Sequence, residues 1–241
     1  MRSIYEQALG AEYKQLHPQL QKKFGLTSEA KTASICKGVM EEIWGGRAYM
    51  YPFLQLGTLK HITFPERGRN IPFTLENYAY QNSFGQECVA WIRKFHFDKV
   101  RHFDATMYYC SKRKGIVDCL GIDQDLITDI DISVLHNGGI RLLSGPLVYY
   151  KKGVEIPVPK FISGTAEAQE WFDEKKKKFH INVEVKNKYF GTIFGYKGTF
   201  TIDYFVRNGD IPEYVKPRRE SIVNKSLSID NLGIDSIKTL S

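Results

Sequence analysis

The sequence lacks most of the features that mark disulfide-stabilised, redox-active and membrane-spanning proteins. Only four of its 241 residues are cysteines, and none belongs to a C-x-x-C pair. Their wide spacing argues against a zinc site and a redox pair, so we expect free thiols that pack as small hydrophobic side chains. They are Cys36, Cys88, Cys110 and Cys119. No uncharged apolar run approaches the roughly 20 residues of a spanning helix, so we predict no transmembrane segment.

Motifs for catalysis and cofactor binding are absent as well. The six histidines are dispersed and include no H-E-x-x-H pair, which argues against a metal site. No G-x-G-x-x-G opens a βαβ unit, and Ser144-Gly145 lies outside a nucleophile-elbow motif. The acidic stretch from Asp123 to Asp131 lacks the glycine and final glutamate of an EF-hand loop. We therefore predict no metal and no cofactor, name no catalytic residue, and favour a non-enzymatic function.

The charge of the chain is positive but not concentrated. Lysine and arginine total 34 against 27 aspartates and glutamates, which gives a net charge of +7. The basic clusters at 112–114, 175–178 and 216–219 are short, as is typical of solvated faces and turns. Nucleic acid is therefore not favoured as a partner. The N-terminus contains neither the apolar segment nor the cleavage site of a secretory signal, so we predict a bacterial-type cytoplasmic protein.

The hydrophobic pattern changes from helical to strand-like early in the chain. Residues 1–25 predict two short helices, the first with a capping box formed by Ser3 and Glu6. Further along, apolar and polar residues alternate, as in half-buried strands. Asn137-Gly138 follows the clearest of these runs and predicts a hairpin turn. Residues 163–176 predict one late helix.

These elements predict an α+β fold that is mainly antiparallel β. About nine or ten strands at short spacing tend to curl and close, which removes exposed edges. We expect a curled sheet or calycin-like barrel with two N-terminal helices and one late inserted helix. A helix-grip fold is the second possibility, although it normally has a long C-terminal helix that this sequence does not show. The predicted single β-rich domain spans residues 1–206, and residues 207–241 predict a polar, loosely attached tail.

Three segments, in this order, carry a resemblance to a known family. They are Ile4-Tyr5 followed by Ala8-Leu9-Gly10, Trp91-Ile92-Arg93-Lys94-Phe95, and Gly195-Tyr196-Lys197-Gly198-Thr199-Phe200. Over most of residues 1–205 the chain resembles the uncharacterised bacterial domain of unknown function numbered forty-one sixty-six. In that family the domain occurs alone or follows a Rossmann-type dehydrogenase-like domain, and no activity is assigned. The resemblance implies a soluble stand-alone domain with a possible dehydrogenase-like partner protein, and it supplies no catalytic residue.

Arg93 is the strongest candidate for a binding residue. It shares a strand face with Trp91 and Phe95, and that face is predicted to be the interior. Because an unpaired buried charge is very costly, a guanidinium there either clamps the carboxylate or phosphate of a ligand or forms an internal ion pair. Glu87, on the same face, is the available partner for such a pair. The third alternative is that the face points outward and Arg93 is solvated.

Tyr196 is the second candidate. It lies between Gly195 and Gly198, which predict a bulge, a barrel bend or a close approach of two backbones. The tyrosine either donates a hydrogen bond into a pocket or packs at the bend.

The sequence thus predicts a soluble domain that binds a small amphipathic or lipid-like ligand in a β-barrel pocket. The predicted ligand-binding residues are Trp91, Arg93, Phe95 and Tyr196. Two alternatives stay open: an enzyme or accessory domain that works with an oxidoreductase, and a basic interaction module for nucleic acid or an anionic membrane surface.

Overall fold

A computed structural model describes residues 1–46, 50–151 and 154–220. Three helices lie in this part of the chain: α1 (Ile4–Leu9), α2 (Pro18–Phe24) and α3 (Tyr51–Thr58), with short 3₁₀ helices at Gly10–Gln15 and Glu213–Val215. The strands are β1 (Thr32–Gly45), β2 (Gly68–Gln81), β3 (Glu87–His96), β4 (Val100–His102), β5 (Ala105–Cys110), β6 (Gly115–Leu120), β7 (Leu126–Val134), β8 (Ile140–Ser144), β9 (Val148–Lys151), β10 (Val154–Pro157), β11 (Thr165–Asp173), β12 (Lys178–Asn187) and β13 (Gly191–Val206). None of the helices in these ranges is long and apolar enough to cross a membrane.

Ten of the strands form a closed antiparallel barrel. Their order around the ring is β7-β6-β5-β3-β2-β1-β13-β12-β11-β8, and the pairing of β8 with β7 closes it. Strand β4 adds to β3, and the β9–β10 hairpin attaches to β7 outside the ring. The prediction of a mainly antiparallel, closed β fold with two N-terminal helices is confirmed. Closure removes the sheet edges that a helix-grip fold would leave.

The predicted late helix at 163–176 is wrong, because Thr165–Asp173 forms strand β11. It pairs with β12 along its whole length and with β8 over four residues. The segment contains residues that favour helices, but intrinsic propensity contributes little free energy, and two ladders of backbone hydrogen bonds outweigh it. Consequently Trp171 and Phe172 lie on opposite faces: Trp171 stacks on His180, whereas Phe172 packs on Phe179 of the interior.

The N-terminal helices close one end of the barrel. The Ser3 hydroxyl accepts a hydrogen bond from the Glu6 backbone at 3.1 Å, as predicted for the helix cap. Large apolar side chains of both helices join the barrel core: Ile4, Tyr5, Leu9, Leu20 and Phe24. The predicted hairpin turn is present between β7 and β8, and its Gly138 carbonyl accepts a hydrogen bond from the His17 backbone. This contact fastens α2 to the rim of the barrel.

Strands β1 and β13 approach more closely than side chains allow. A Cβ on Gly38 would collide with the carbonyl oxygen of Thr199, and one on Gly198 would collide with that of Val39. The register shifts between Met40 and Glu42, which is a β-bulge opposite this pair of contacts. The predicted close approach of two backbones at Gly198 is therefore confirmed, and a bulge of the partner strand lies next to it.

We expect Gly38→Ala to lower the free energy of unfolding by about 1–3 kcal/mol, because the methyl group forces two paired backbones apart. Gly115→Ala is the matched control: it also lies in a strand, but its added Cβ would meet nothing closer than 3.8 Å. Urea denaturation of both variants measures the difference. Equal stability of the two variants would show that β1 and β13 can separate without cost.

The outer face of β2, β3, β5 and β6 carries a second apolar cluster, which residues 207–220 help to cover. Ile211 and Val215 are buried in that cluster, and the Tyr214 hydroxyl donates to Glu76 at 2.6 Å. All four cysteines are buried thiols, as predicted, and three of them belong to the outer cluster. Of the predicted polar, loosely attached tail at 207–241, residues 221–241 lie outside the described residues.

Candidate functional site

The barrel contains an apolar cavity of about 550 Å³. It lies between the middle of the barrel and α3, at the end opposite the N-terminal helices. Its walls are mostly apolar side chains of α3, the barrel strands and the link between β4 and β5, including Leu54, Phe103, Met107, Ile130, Leu142 and Val183. This volume falls in the range of about 300–1,000 Å³ that is typical of sites for small organic ligands.

The cavity opens to solvent beside α3. Phe53, Leu56 and Leu59 line the cavity, yet each of these side chains is more than half exposed. Ile162, in the segment between β10 and β11, also lines the cavity and is exposed. A ligand can therefore enter between α3 and this segment.

Arg93 lies on the cavity wall and only 6% of its surface is exposed. Its guanidinium carbon stands 4.0 Å from the ring centre of Phe103 and 5.5 Å from that of Trp91, and its Nε donates a hydrogen bond to the Phe103 carbonyl. The inward orientation removes the alternative of a solvated Arg93. Glu87 is not its partner, because that carboxylate accepts hydrogen bonds from the Ser28 amide at 2.6 Å and hydroxyl at 2.5 Å.

Asp118 of β6 is the acidic group on the same wall, and the sequence reasoning missed it. It is 7% exposed, and its Oδ1 has no hydrogen-bond partner among the described residues. Burial raises the pKa of Asp118 to about 7, and the positive charge of Arg93 opposes that rise. Within the described part of the chain, Asp118 and Arg93 form no direct salt bridge. The cavity thus contains a fixed cation and a carboxyl group that changes charge near neutral pH.

A signal for Asp118 was present in the sequence. It interrupts the apolar run Ile116-Val117-Asp118-Cys119-Leu120, and alternation places it on the face of Ile116 and Leu120. Ile116 belongs to the barrel core, and Leu120 lines the cavity. A carboxylate inside such a run requires either a partner or a function.

The four predicted site residues divide into two pairs. Trp91 and Arg93 line the cavity. Phe95 and Tyr196 are fully buried beside it, with ring centres 5.1 Å apart, and both rings also approach Phe73. Burial raises the pKa of Tyr196, and the nearby guanidinium of Arg93 opposes that rise. Phe95 and Tyr196 thus form an aromatic support next to the cavity wall.

A cluster of two histidines and an aspartate lies beside the same end of the barrel. The Oδ2 of Asp104 is 2.7 Å from Nδ1 of His61 and 3.1 Å from Nδ1 of His102. Burial opposes ionisation of Asp104, but the hydrogen bonds from His102 and His61 outweigh it and lower the pKa of Asp104. Its Oδ1 accepts from the Arg93 backbone at 3.0 Å, which connects the cluster to the strand that carries the cavity cation.

The ring geometry of this cluster is unfavourable for a metal ion. The imidazoles of His61 and His102 are stacked, with centres 4.2 Å apart and planes inclined by 19°. The lone pairs of imidazole nitrogens lie in the ring planes, so those of two nearly parallel rings do not converge on one ion about 2 Å away. The arrangement suits two N–H groups that share a carboxylate, and it holds the loop after α3 against β4.

Two comparisons relate this chain to known proteins. The profile of the family described as "Domain of unknown function (DUF4166)" matches residues 16–200. The chain is also 38% identical over 201 residues to "Uncharacterized protein YndH" of Bacillus subtilis (strain 168), which corresponds to 83% of this chain and 97% of that protein. Neither description assigns an activity. Every residue that lines the cavity lies within the range that the family profile matches.

Proposed function

Because this chain belongs to the family Domain of unknown function (DUF4166), whose description names no reaction, we propose a function from the cavity itself. The protein binds a small amphipathic, lipid-like ligand with an anionic head group. The apolar part of the ligand lies among the side chains of α3 and the barrel strands. Its head group lies against Arg93, on the inner wall.

The observation that carries this proposal is the placement of Arg93 in an apolar cavity, where no carboxylate of the described residues forms a salt bridge with it. A guanidinium in such surroundings requires charge compensation and hydrogen bonding. Its Nε donates a hydrogen bond to the Phe103 carbonyl, and the rings of Phe103 and Trp91 pack against the guanidinium. The remaining donors suit a carboxylate or phosphate, which guanidinium groups bind through two parallel hydrogen bonds.

The protonation state of Asp118 sets the net charge of the cavity wall that contacts the head group. When its carboxyl is protonated, the wall carries the single positive charge of Arg93 and attracts an anion. When it is ionised, the two charges of the wall compensate each other. Because burial raises the pKa of Asp118 to about 7, the cavity prefers an anionic head group below neutral pH.

We expect Arg93→Met to weaken binding of dodecanoate by about 10- to 100-fold, since a hydrogen bond to a charged group contributes about 1.5–3 kcal/mol. Dodecanol, with the same chain and an uncharged head, is the matched ligand, and its affinity should change little. Displacement of a fluorescent amphiphile measures both affinities. If Arg93→Met fails to fold, Arg93→Lys keeps the charge but loses the planar fork, and should weaken dodecanoate binding selectively. Equal losses for both ligands would contradict a head-group role for Arg93.

The predicted dehydrogenase-like partner and the enzyme alternative remain separate predictions. Both predict that this protein changes the rate at which a dehydrogenase turns over a carbonyl substrate with a nicotinamide cofactor. Ligand binding without any change in turnover would favour the binding function alone.

A further inference from the structure

We propose that the cavity end of the barrel docks on an anionic membrane surface, so that the ligand passes between the bilayer and the cavity without crossing water. This inference rests on the proposed function. The docking surface, here called the mouth face, consists of seven large apolar side chains around the opening: Tyr51, Phe53, Leu56, Leu59, Phe161, Ile162 and Tyr189.

The mouth face is unusually apolar for a solvent-exposed surface. Each of its seven side chains is between 42% and 74% exposed. Two of its three segments are held together: the Asn187 side-chain amide donates to the Lys160 carbonyl at 2.9 Å and to the Ser163 carbonyl. This ties the turn that carries Tyr189 to the segment that carries Phe161 and Ile162. Single exposed apolar residues are common on soluble proteins, but a grouped set of this kind marks an interaction site.

Continuity with the cavity favours a lipid surface over a protein partner. Phe53, Leu56, Leu59 and Ile162 line the cavity and the outer surface at once. When the mouth face enters the interface of a bilayer, apolar surface extends without interruption from the acyl chains to the cavity wall. An amphipathic ligand can then move inward without exposing its chain to water, which is the costly step of its transfer. Exposed aromatic rings are also well suited to the membrane–water interface.

The charge around the mouth face fits anionic head groups. Lys160 and Lys188 flank its aromatic residues, are exposed, and have no ion-pair partner within the described ranges. Lys60, by contrast, is held at 2.5 Å by Asp125 and at 3.4 Å by Asp123. The two unpaired lysines therefore supply local positive charge to a chain whose net charge is already +7. Lysines beside an apolar surface strengthen binding to membranes that contain anionic lipid.

Co-sedimentation with phosphatidylcholine vesicles, prepared with and without phosphatidylglycerol, tests the proposal. The protein should bind the anionic vesicles more tightly, and the difference in affinity should shrink as salt is added.

Phe161→Gln/Tyr189→Gln removes two apolar contacts that do not line the cavity, and should weaken vesicle binding by about tenfold or more. Lys160→Gln/Lys188→Gln should remove most of the preference for anionic vesicles. Phe84→Gln is the control, because Phe84 is 56% exposed in the turn between β2 and β3, at the opposite end of the barrel.

Dodecanoate binding without vesicles separates this proposal from the proposed function. Both double variants should retain the dodecanoate affinity of the parent protein, since none of the four residues lines the cavity. If dodecanoate binds but vesicles do not, docking is overturned and the ligand-binding function stands. If vesicles bind through the mouth face but dodecanoate does not bind, the docking surface stands and the cavity function fails. A loss of vesicle binding in Phe84→Gln as large as in Phe161→Gln/Tyr189→Gln would also overturn the proposal.

Discussion

Asp118→Asn is expected to stabilise the protein at about pH 8 by up to about 4 kcal/mol, and to lose that advantage toward about pH 4. The reason is the burial of the Asp118 carboxyl in the cavity wall, which raises its pKa to about 7 against the opposing charge of Arg93. In the unfolded chain an aspartate has a pKa of about 3.9. Between these two values, the folded protein holds a proton that the unfolded chain has released.

The sign of the pH dependence follows from that difference in bound protons. The contribution of Asp118 to stability is fully present below about pH 4, falls as the pH rises, and is lost above about pH 7. Asparagine does not ionise, so its contribution is constant over this range. The difference in free energy of unfolding between the variant and the parent should therefore grow with pH and level off above about pH 7.

Urea denaturation of both proteins at several pH values measures this difference, and other titrating groups cancel in it. Asp131→Asn is the matched control, because Asp131 lies exposed on β7 and water solvates its carboxylate in both states. A constant difference for Asp118→Asn would contradict a buried carboxyl with a raised pKa. The same titration should appear in function: dodecanoate affinity of the parent should fall between about pH 6 and pH 8, and that of Asp118→Asn should not.

Period-two alternation was sufficient to predict a curled sheet or barrel and to favour an inward direction for Arg93. Trp91 and Phe95 are large apolar neighbours on the same face as Arg93, which favoured that face of β3 as the inward one. A local pattern records which residues share a face, because side chains alternate along a strand. It does not record which residues of other strands meet that face.

The partners of Arg93 could not be predicted for this reason. Glu87 was plausible by alternation, but a loop residue, Ser28, occupies its carboxylate. Asp118 reaches the same cavity wall from β6, which is separated from β3 by β5 in the ring. That approach depends on strand order and register around the closed barrel, and neither can be derived from a single sequence.

The late strand β11 shows a different limit. Its residues locally favour a helix. In the strand that forms instead, Glu170 faces the inside of the barrel, where Lys23 of α2 compensates its charge. A glutamate at this position argues against an inward strand face as long as its distant partner is unknown. The pairing with β12 and β8 therefore decided the conformation of the segment, and the inward charge of Glu170 is compensated by a residue 147 positions away.

That pairing leads to the second large effect: Lys23→Met is expected to lower the free energy of unfolding by about 3–5 kcal/mol near pH 7. Lys23 extends from α2 into the barrel, where its Nζ donates to both oxygens of Glu170, at 2.7 and 2.5 Å. Both side chains are almost completely buried. Burial raises the pKa of Glu170, and Lys23 opposes that rise, so removal of the lysine leaves a carboxylate with no compensating charge.

A double variant, Lys23→Met/Glu170→Leu, identifies the cause of that loss. If the uncompensated charge is responsible, the double variant should recover most of the stability, since apolar residues of similar volume often replace a buried ion pair without cost. Lys37→Met is the matched control, because the Lys37–Asp203 pair at 3.2 Å is exposed and such pairs contribute about 0–1 kcal/mol. Urea denaturation measures all three variants. A double variant as unstable as Lys23→Met would show instead that α2 closes its end of the barrel through the shape of the lysine side chain, independent of its charge.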